Sequence, residues 1–95
     1  MSRARDLVVA IQPDEVLLAS VAVLRHLGAR ITRYDAEAGV LEARVRRLWR
    51  PALIRLRAQP DDAGSRLTVE SDALAWSPMF RRFRGGLEDV VRQAW

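Results

Sequence analysis

Alternation of apolar and polar residues is strongest over residues 40–58, where two runs flank Arg50 and Pro51. The first run places Leu41, Ala43, Val45 and Trp49 on one side and Glu42, Arg44, Arg46 and Arg50 on the other. The second run alternates Ala52, Ile54, Leu56 and Ala58 with Leu53, Arg55 and Arg57. Because successive side chains of a strand point to opposite faces, these runs predict two strands with one apolar and one arginine-rich face.

Helical spacing of apolar residues predicts one helix before these strands and one after them. The first begins at Pro13, with Asp14 and Glu15 in its first turn, and ends before Gly28. Its predicted buried stripe comprises Leu17, Leu18, Val21, Leu24 and Leu27. The second begins with Ser77 as the cap and Pro78 in the first position. Its predicted stripe comprises Phe80, Phe83, Leu87, Val90, Val91 and Ala94.

Three more strands are predicted at residues 6–11, 30–35 and 66–74, and residues 59–65 are predicted to form a loop. The element order is therefore β-α-β-β-β-β-α. Short connections predict an antiparallel sheet, and the single apolar stripe of each helix predicts that both helices pack on one face. We expect one α+β domain spanning residues 1–95.

This element order resembles the TATA-binding-protein-like and helix-grip arrangements, in which a curved antiparallel sheet carries a long C-terminal helix. The resemblance is one of topology over nearly the whole chain, and no sequence motif carries it. More loosely, the chain resembles small bacterial domains of unknown function. Such folds include lipid-pocket proteins and DNA binders, so the resemblance implies no functional residue.

Residues that support catalysis are sparse. The chain has no cysteine and one histidine, His26, which excludes thiol chemistry and the usual zinc sites. Acidic pairs such as Asp61 and Asp62 are neighbours in sequence and do not face one another as an acid and a base must. We therefore expect no enzyme, no metal and no cofactor. The apolar runs are too short for a membrane span or a signal-peptide core, so we expect a cytosolic protein without membrane contact.

All 16 basic residues are arginine, and the formal net charge is +4. The candidate anion or nucleic-acid face comprises Arg30, Arg44, Arg46, Arg55 and Arg57. Pairing apolar positions across the turn predicts Arg46 opposite Arg55 and Arg44 opposite Arg57, with Arg30 beside Arg44. The same pairing predicts Glu70 opposite Arg55 and Thr68 opposite Arg57.

A row of facing arginines is a mild cost unless something compensates it. An anion or a nucleic-acid backbone is one source of compensation; solvent and the neighbouring acids Glu42, Glu70 and Asp72 are the other. Only Tyr34 is available on this face for stacking on a base. An alternative origin of the arginines is coding bias toward arginine in a GC-rich genome.

A candidate apolar interface lies toward one end of the same face. Its predicted members are Leu48, Leu53, Leu74 and Trp76. Two hypotheses account for it: the last helix covers these residues, or they form a homodimer seam.

Two adjacent glycines interrupt the last helix, and each costs about 1 kcal/mol relative to alanine. We predict a bend there, or two separate helices. The candidate hinge or anion loop comprises Arg81, Arg82, Arg84, Gly85 and Gly86. The alternative is a tolerated kink that lets the helix follow a curved sheet.

These features favour a non-enzymatic binding domain that acts through protein–protein contacts or self-association. One alternative is binding of nucleic acid or another anion through the arginine-rich face. A second alternative is a carrier of a small apolar ligand, with a cavity between the sheet and the last helix lined by residues such as Trp49, Phe80 and Phe83.

Overall fold

The computed structural model describes residues 3–47, 50–72 and 76–94. In chain order the elements are β1 (Arg3–Val9), α1 (Pro13–His26), β2 (Ala29–Asp35), β3 (Val40–Arg47), β4 (Arg50–Asp61), β5 (Gly64–Ser71) and α2 (Trp76–Ala94). The predicted α+β class and the order β-α-β-β-β-β-α are therefore confirmed. All neighbouring strands pair antiparallel in the sheet order β1-β5-β4-β3-β2, so β1 and β2 form its two edges.

Both helices pack on one face of the sheet, which we call the covered face. Alternation along the strands places their apolar residues on that face. The apolar strand residues with no exposed surface are Leu41, Leu56, Leu67 and Val69. Leu17 and Leu24 of α1 and Phe83 and Leu87 of α2 complete the same core. The other face, which we call the open face, carries the alternate, mostly charged residues.

Burial on α1 follows a different stripe from the predicted one. Leu18 is 58% exposed, and Val21 and Leu27 are only half-buried. The buried residues are Val16, Leu17, Ala19, Ser20, Val23 and Leu24. Ser20 tolerates burial because its hydroxyl donates to the carbonyl of Val16 at 2.7 Å. The predicted stripe was based on apolar residues alone. It therefore omitted Ser20, which is buried, and included Leu18, which is exposed.

The ends of α1 follow their sequence signals. The helix starts at Pro13, and the backbone N–H of Gln12 donates to Oε1 of Glu15 at 3.1 Å in a capping box. Gly28 follows the helix with φ +88°, a left-handed conformation that glycine adopts without steric cost.

The predicted loop at residues 59–65 is wrong. β4 continues to Asp61 and β5 begins at Gly64, which leaves only Asp62 and Ala63 between the strands. Oδ1 of Asp61 accepts the backbone N–H of Ala63 at 3.0 Å and closes the turn. Gly64 has φ +135°, and a Cβ there would lie 2.6 Å from the carbonyl oxygen of Val9. A dense set of turn residues therefore marks a tight hairpin here, not a long loop.

The predicted turn at Arg50 and Pro51 is also wrong, because both residues belong to β4. The connection between β3 and β4 falls on residues 48–49, outside the described residues. The other strand and helix bounds differ from prediction by three residues or fewer, apart from residues 73–75, which are not described.

Candidate binding surfaces

The open face holds the five arginines of the candidate anion site, and all five are exposed. The predicted pairs Arg30–Arg44, Arg55–Glu70 and Arg57–Thr68 are confirmed by the strand register. The predicted pairs between β3 and β4 are wrong. Arg44 lies opposite Leu53, Arg46 opposite Pro51, and Arg55 opposite Glu42. The error follows from placing the turn two residues too late, which shifts the register without moving any residue to the other face.

Glu42 forms ion pairs with two arginines at the centre of this face. Its Oε2 lies 3.0 Å from Nε of Arg55 and 4.0 Å from Nη1 of Arg33. The row of residues across the sheet therefore alternates in charge, from Arg33 through Glu42 and Arg55 to Glu70. Arg55 is thus a member of an ion-pair network, and it is not one of a row of facing arginines.

Nearer the turn between β4 and β5, the open face is also paired. Arg66 lies 3.7 Å from Oδ2 of Asp6 and 3.5 Å from Oδ2 of Asp61. The hydroxyl of Thr68 donates to Oδ1 of Asp6 at 2.8 Å. The remaining arginine here, Arg57, has no ion pair among the described residues.

The opposite end of the open face is different. Arg30 and Arg44 lie directly across from one another on β2 and β3, and Arg46 follows two residues along on the same face. Within the described part of the chain, no carboxylate lies within ion-pair distance of these three side chains. The five predicted arginines thus divide into an ion-paired member, Arg55, and a concentrated group of three, with Arg57 apart from both.

A shallow hollow of about 340 Å³ crosses the open face between these two regions. Its walls are the alternating row through Glu42 and Arg55 on one side and Arg44 and Leu53 on the other. Glu70 and Asp72 also line it, so its charge is mixed. Mixed charge of this kind attracts an anion less strongly than the arginine group beside the hollow does, because the carboxylates repel the ligand that the arginines attract.

Of the candidate apolar interface, only Leu53 has a described side chain. It is 50% exposed on the open face, and its backbone N–H donates to Oδ1 of Asp72 at 2.9 Å. Leu48 and Leu74 lie outside the described residues, and so does the side chain of Trp76, the first residue of α2.

Tyr34 does not belong to the open face. A β-bulge between Ile31 and Arg33 inserts one residue into β2, which turns the following side chains over. Tyr34 consequently lies opposite Leu41, on the covered face at the sheet edge, and is 41% exposed. The open face therefore lacks the one stacking residue that alternation had placed there.

The prediction of two separate helices at the two glycines is wrong, because α2 continues as one helix through Gly85 and Gly86. The predicted bend stays a prediction. A Cβ on Gly86 would lie 2.9 Å from Cγ1 of Val23, so this glycine lets α1 and α2 approach closely. A Cβ on Gly85 would meet nothing within 4 Å. The two glycines therefore lie within a helix, at the place where α1 and α2 approach each other, and not in a loop.

The three arginines of this segment are exposed on the continuous helix. Nε of Arg84 lies 3.1 Å from Oε1 of Glu88, one turn later. Arg81 and Arg82 make no ion pair with any described carboxylate. The three arginines therefore differ in their pairing.

The sequence pattern did not predict a cleft that lies between β1 and the C-terminal half of α2. We call it the β1–α2 cleft, and its volume is about 320 Å³. It is lined by Leu7, Val8, Val9 and Ala10 on the strand and by Arg84, Leu87, Glu88, Val91 and Arg92 on the helix. One signal was present: residues 7–11 are all apolar, although alternation points two of them away from the core.

The residues predicted to line a carrier cavity are placed differently. Phe80 and Phe83 are 6% and 1% exposed and belong to the core, where the guanidinium of Arg5 lies 5.2 Å from the ring centre of Phe80. Neither lines the β1–α2 cleft. Trp49 lies outside the described residues.

Two further classes of site were sought in the described residues. No group of three or more His, Asp or Glu side chains there is arranged to hold a metal ion. None of the described helices combines the length and the apolar character that crossing a membrane requires.

Comparisons with known proteins support the fold. No protein-family model matches the chain, and no curated protein matches it. Among solved structures, it is similar to Ara h 8.0201, at 9% identity and a TM-score of 0.70 over 98% of each chain. It is also similar to protein MLL2253 from Mesorhizobium loti, at 8% identity and a TM-score of 0.72, over 100% of this chain and 99% of that one.

A third similar structure is protein CV1439 from Chromobacterium violaceum, at 11% identity and a TM-score of 0.55, over 98% of this chain and 96% of that one. Identities this low show a shared fold and nothing further. The predicted helix-grip-like arrangement is supported, as is the likeness to small bacterial proteins. The TATA-binding-protein-like alternative stays a prediction.

Proposed function

We propose that this chain is a non-enzymatic binding domain that takes up an extended segment of a partner protein in the β1–α2 cleft. The observation that carries the proposal is the position of the cleft along the edge of β1, which no described strand covers. Edge strands present backbone N–H and C=O groups that an incoming strand can pair with.

Side chains on both walls of the cleft suit such a segment. Leu7 and Val9 are half-buried on the strand side, and Leu87 and Val91 form the apolar wall on α2. Alternate residues of an added strand would contact this wall, as in other complexes in which a peptide extends a sheet. Val8, on the outer side of β1, is 56% exposed and offers a second apolar contact.

The rim of the cleft carries charges that are already paired along α2. Arg84 pairs with Glu88, and Arg92 lies 3.7 Å from Oδ1 of Asp89. The rim therefore has no strong preference for one sign of charge. A volume of about 320 Å³ is near the lower limit of ligand pockets, about 300–1,000 Å³, and suits a few side chains better than a large cofactor.

A small apolar molecule is the second candidate for the same cleft. The helix-grip-like fold favours this candidate, because the fold is consistent with a small ligand-binding domain. The apolar lining from Leu87 and Val91 would serve such a molecule equally well. The free backbone groups of β1 would not be used, and for this reason we place this candidate second.

The test uses the full chain with two tryptophan variants. Val91→Trp fills the cleft with an indole, and the matched control Leu18→Trp adds the same indole to an exposed position on α1. Peptides selected from a random display library on the wild type are assayed by fluorescence polarisation. We expect Val91→Trp to weaken them about tenfold or more, about 1.4 kcal/mol, and Leu18→Trp to leave their affinity unchanged. Bound peptides should slow hydrogen exchange along β1.

Three results contradict the proposal. The first is that no selected peptide depends on residue 91. The second is an NMR titration in which dodecanoate, but no peptide, perturbs the residues of the cleft, and Val91→Trp abolishes this perturbation. That result would assign the cleft to a small apolar molecule. The third is that the wild type sediments as a dimer and Val91→Trp sediments as a monomer. That result would assign the cleft to a second copy of this chain.

A further inference from the structure

Charge is segregated along the strand direction of this molecule. The strand register puts the last turn of α1, the start of β2, the ends of β3 and β5 and the first half of α2 at the same end. We call this the basic end. The turns after β2 and β4, the start of α1 and the second half of α2 lie at the other end.

The basic end holds more arginines than carboxylates. Its described arginine side chains, apart from that of Arg5 on Phe80, are Arg25, Arg30, Arg44, Arg46, Arg81 and Arg82. The described carboxylate at this end is Asp72, whereas Glu70 belongs to the central row with Glu42 and Arg55. None of these six arginines lies within ion-pair distance of a carboxylate in the described part of the chain. The opposite end carries the acids of both hairpin turns and of the first turn of α1, among them Asp14, Asp35 and Asp61.

The positions of two arginines at the basic end lower the stability of the sheet. Arg30 and Arg44 are direct cross-strand partners, and like charges in that position destabilise a sheet. In the central row of the same face, facing positions carry opposite charges, as Glu42 and Arg55 do. The cost at the basic end is removed when an anion lies between the two guanidinium groups.

We propose that the basic end binds the phosphate backbone of a nucleic acid. The guanidinium group matches phosphate through paired N–H donors, and a cluster of exposed arginines is the electrostatic footprint of this binding mode. Among the described side chains of the open face none is aromatic and able to stack on a base, since Tyr34 lies on the covered face. The binding is therefore insensitive to base sequence and is driven by release of counterions.

An anionic membrane surface fits the described residues less well. Peripheral membrane binding combines positive charge with inserted apolar side chains. Among the described residues of the basic end, Leu53 is the one large apolar side chain that is at least half exposed, and its backbone is tied to Asp72. The proposal is independent of the β1–α2 cleft, which lies on the second half of α2, away from the basic end.

The experiment compares two triple variants that change the net charge equally. Arg30→Gln with Arg44→Gln and Arg46→Gln neutralises the basic end. The control, Arg33→Gln with Arg55→Gln and Arg66→Gln, neutralises the ion-paired arginines of the same face. Binding of a short fluorescein-labelled DNA duplex is measured by fluorescence anisotropy as salt is raised. Circular dichroism and thermal unfolding establish that both variants fold.

We expect the wild type to bind the duplex at about 50 mM salt and to weaken steeply by about 200 mM. The basic-end variant should lose about tenfold or more in affinity, and its slope of log affinity against log salt should fall by about 2.7, the value for three phosphate contacts. The control should keep most of the affinity and most of the slope, and a duplex of different base sequence should bind equally.

The proposal is overturned if the wild type does not bind the duplex at low salt. It is also overturned if both variants lose the same affinity, because net charge alone would then explain the binding. A third contrary result is binding to vesicles of phosphatidylserine, abolished by the basic-end variant, when the duplex is not bound.

Discussion

The two faces of the sheet are stabilised by different interactions. On the covered face, side chains such as Leu41 and Leu56 are fully buried against the helices, and their contribution is the removal of apolar surface from water. On the open face, the main contacts are ion pairs between half-exposed groups, such as Glu42 with Arg55. Exposed ion pairs contribute about 0–1 kcal/mol, whereas a buried leucine contributes several times more. The covered face therefore sets the stability, and the open face is free to carry function.

The prediction with the largest expected effect compares a buried and an exposed leucine on a single strand. Leu56 and Leu53 both belong to β4, but Leu56 is fully buried and Leu53 is 50% exposed on the other face. Leu56→Ala should lower the free energy of unfolding by about 2–5 kcal/mol, because it removes buried methyl groups and leaves a cavity. Leu53→Ala should change it by less than about 1 kcal/mol. Chemical denaturation measures both, and equal losses would show that the open face is covered in solution.

The next largest effect separates the two adjacent glycines of α2. Gly85→Ala should stabilise the protein by about 1 kcal/mol, because alanine is the better helix former and its Cβ meets nothing within 4 Å. Gly86→Ala should destabilise it by about 1–3 kcal/mol, because its Cβ overpacks against the branched side chain of Val23. Thermal unfolding of the two variants should give shifts of opposite sign.

A double variant identifies the cause of the Gly86 effect. Combining Gly86→Ala with Val23→Ala removes the methyl group that the new Cβ approaches. The double variant should then be more stable than the sum of the two single changes predicts, by about 1 kcal/mol or more. Strict additivity would show that the crossing of α1 and α2 relaxes around the added methyl group.

The same contrast between faces explains how much the sequence could predict. A strand has a side-chain period of two, so the register error of four residues keeps Leu56 beside other apolar residues on the covered face. The fold class, the helix ends and the buried strand residues were therefore predictable. The same error changes which charges meet, and for that reason Arg55 was predicted opposite Arg46 and was found opposite Glu42.

The remaining misses depend on tertiary structure. The bulge in β2 that turns Tyr34 to the covered face has no signature in the alternation of residues. The β1–α2 cleft depends on where α2 crosses the edge of the sheet, which the helical stripe of α2 does not specify. Gly86 was recognised as unusual, but its role depends on the proximity of Val23, which lies far away in sequence.

A smaller effect tests the ion-pair network at the centre of the open face. Glu42→Gln removes the carboxylate that lies between Arg33 and Arg55, and should lower the free energy of unfolding by about 0.5–1 kcal/mol at low salt. The matched control Glu37→Gln makes the same charge change in an exposed turn and should cost less. High salt should reduce the difference between the two variants, which denaturation at two salt concentrations measures.

The smallest effect is expected at the basic end, and it has the opposite sign. Arg30→Gln removes one of two like charges that face each other across β2 and β3, so it should stabilise the protein by a few tenths of a kcal/mol at low salt. In an Arg44→Gln background the same change should have no effect, because the repulsion is already gone. If Arg30→Gln is neutral in both backgrounds, water already screens the pair, and any loss of DNA binding in this variant then reports contact with the ligand alone.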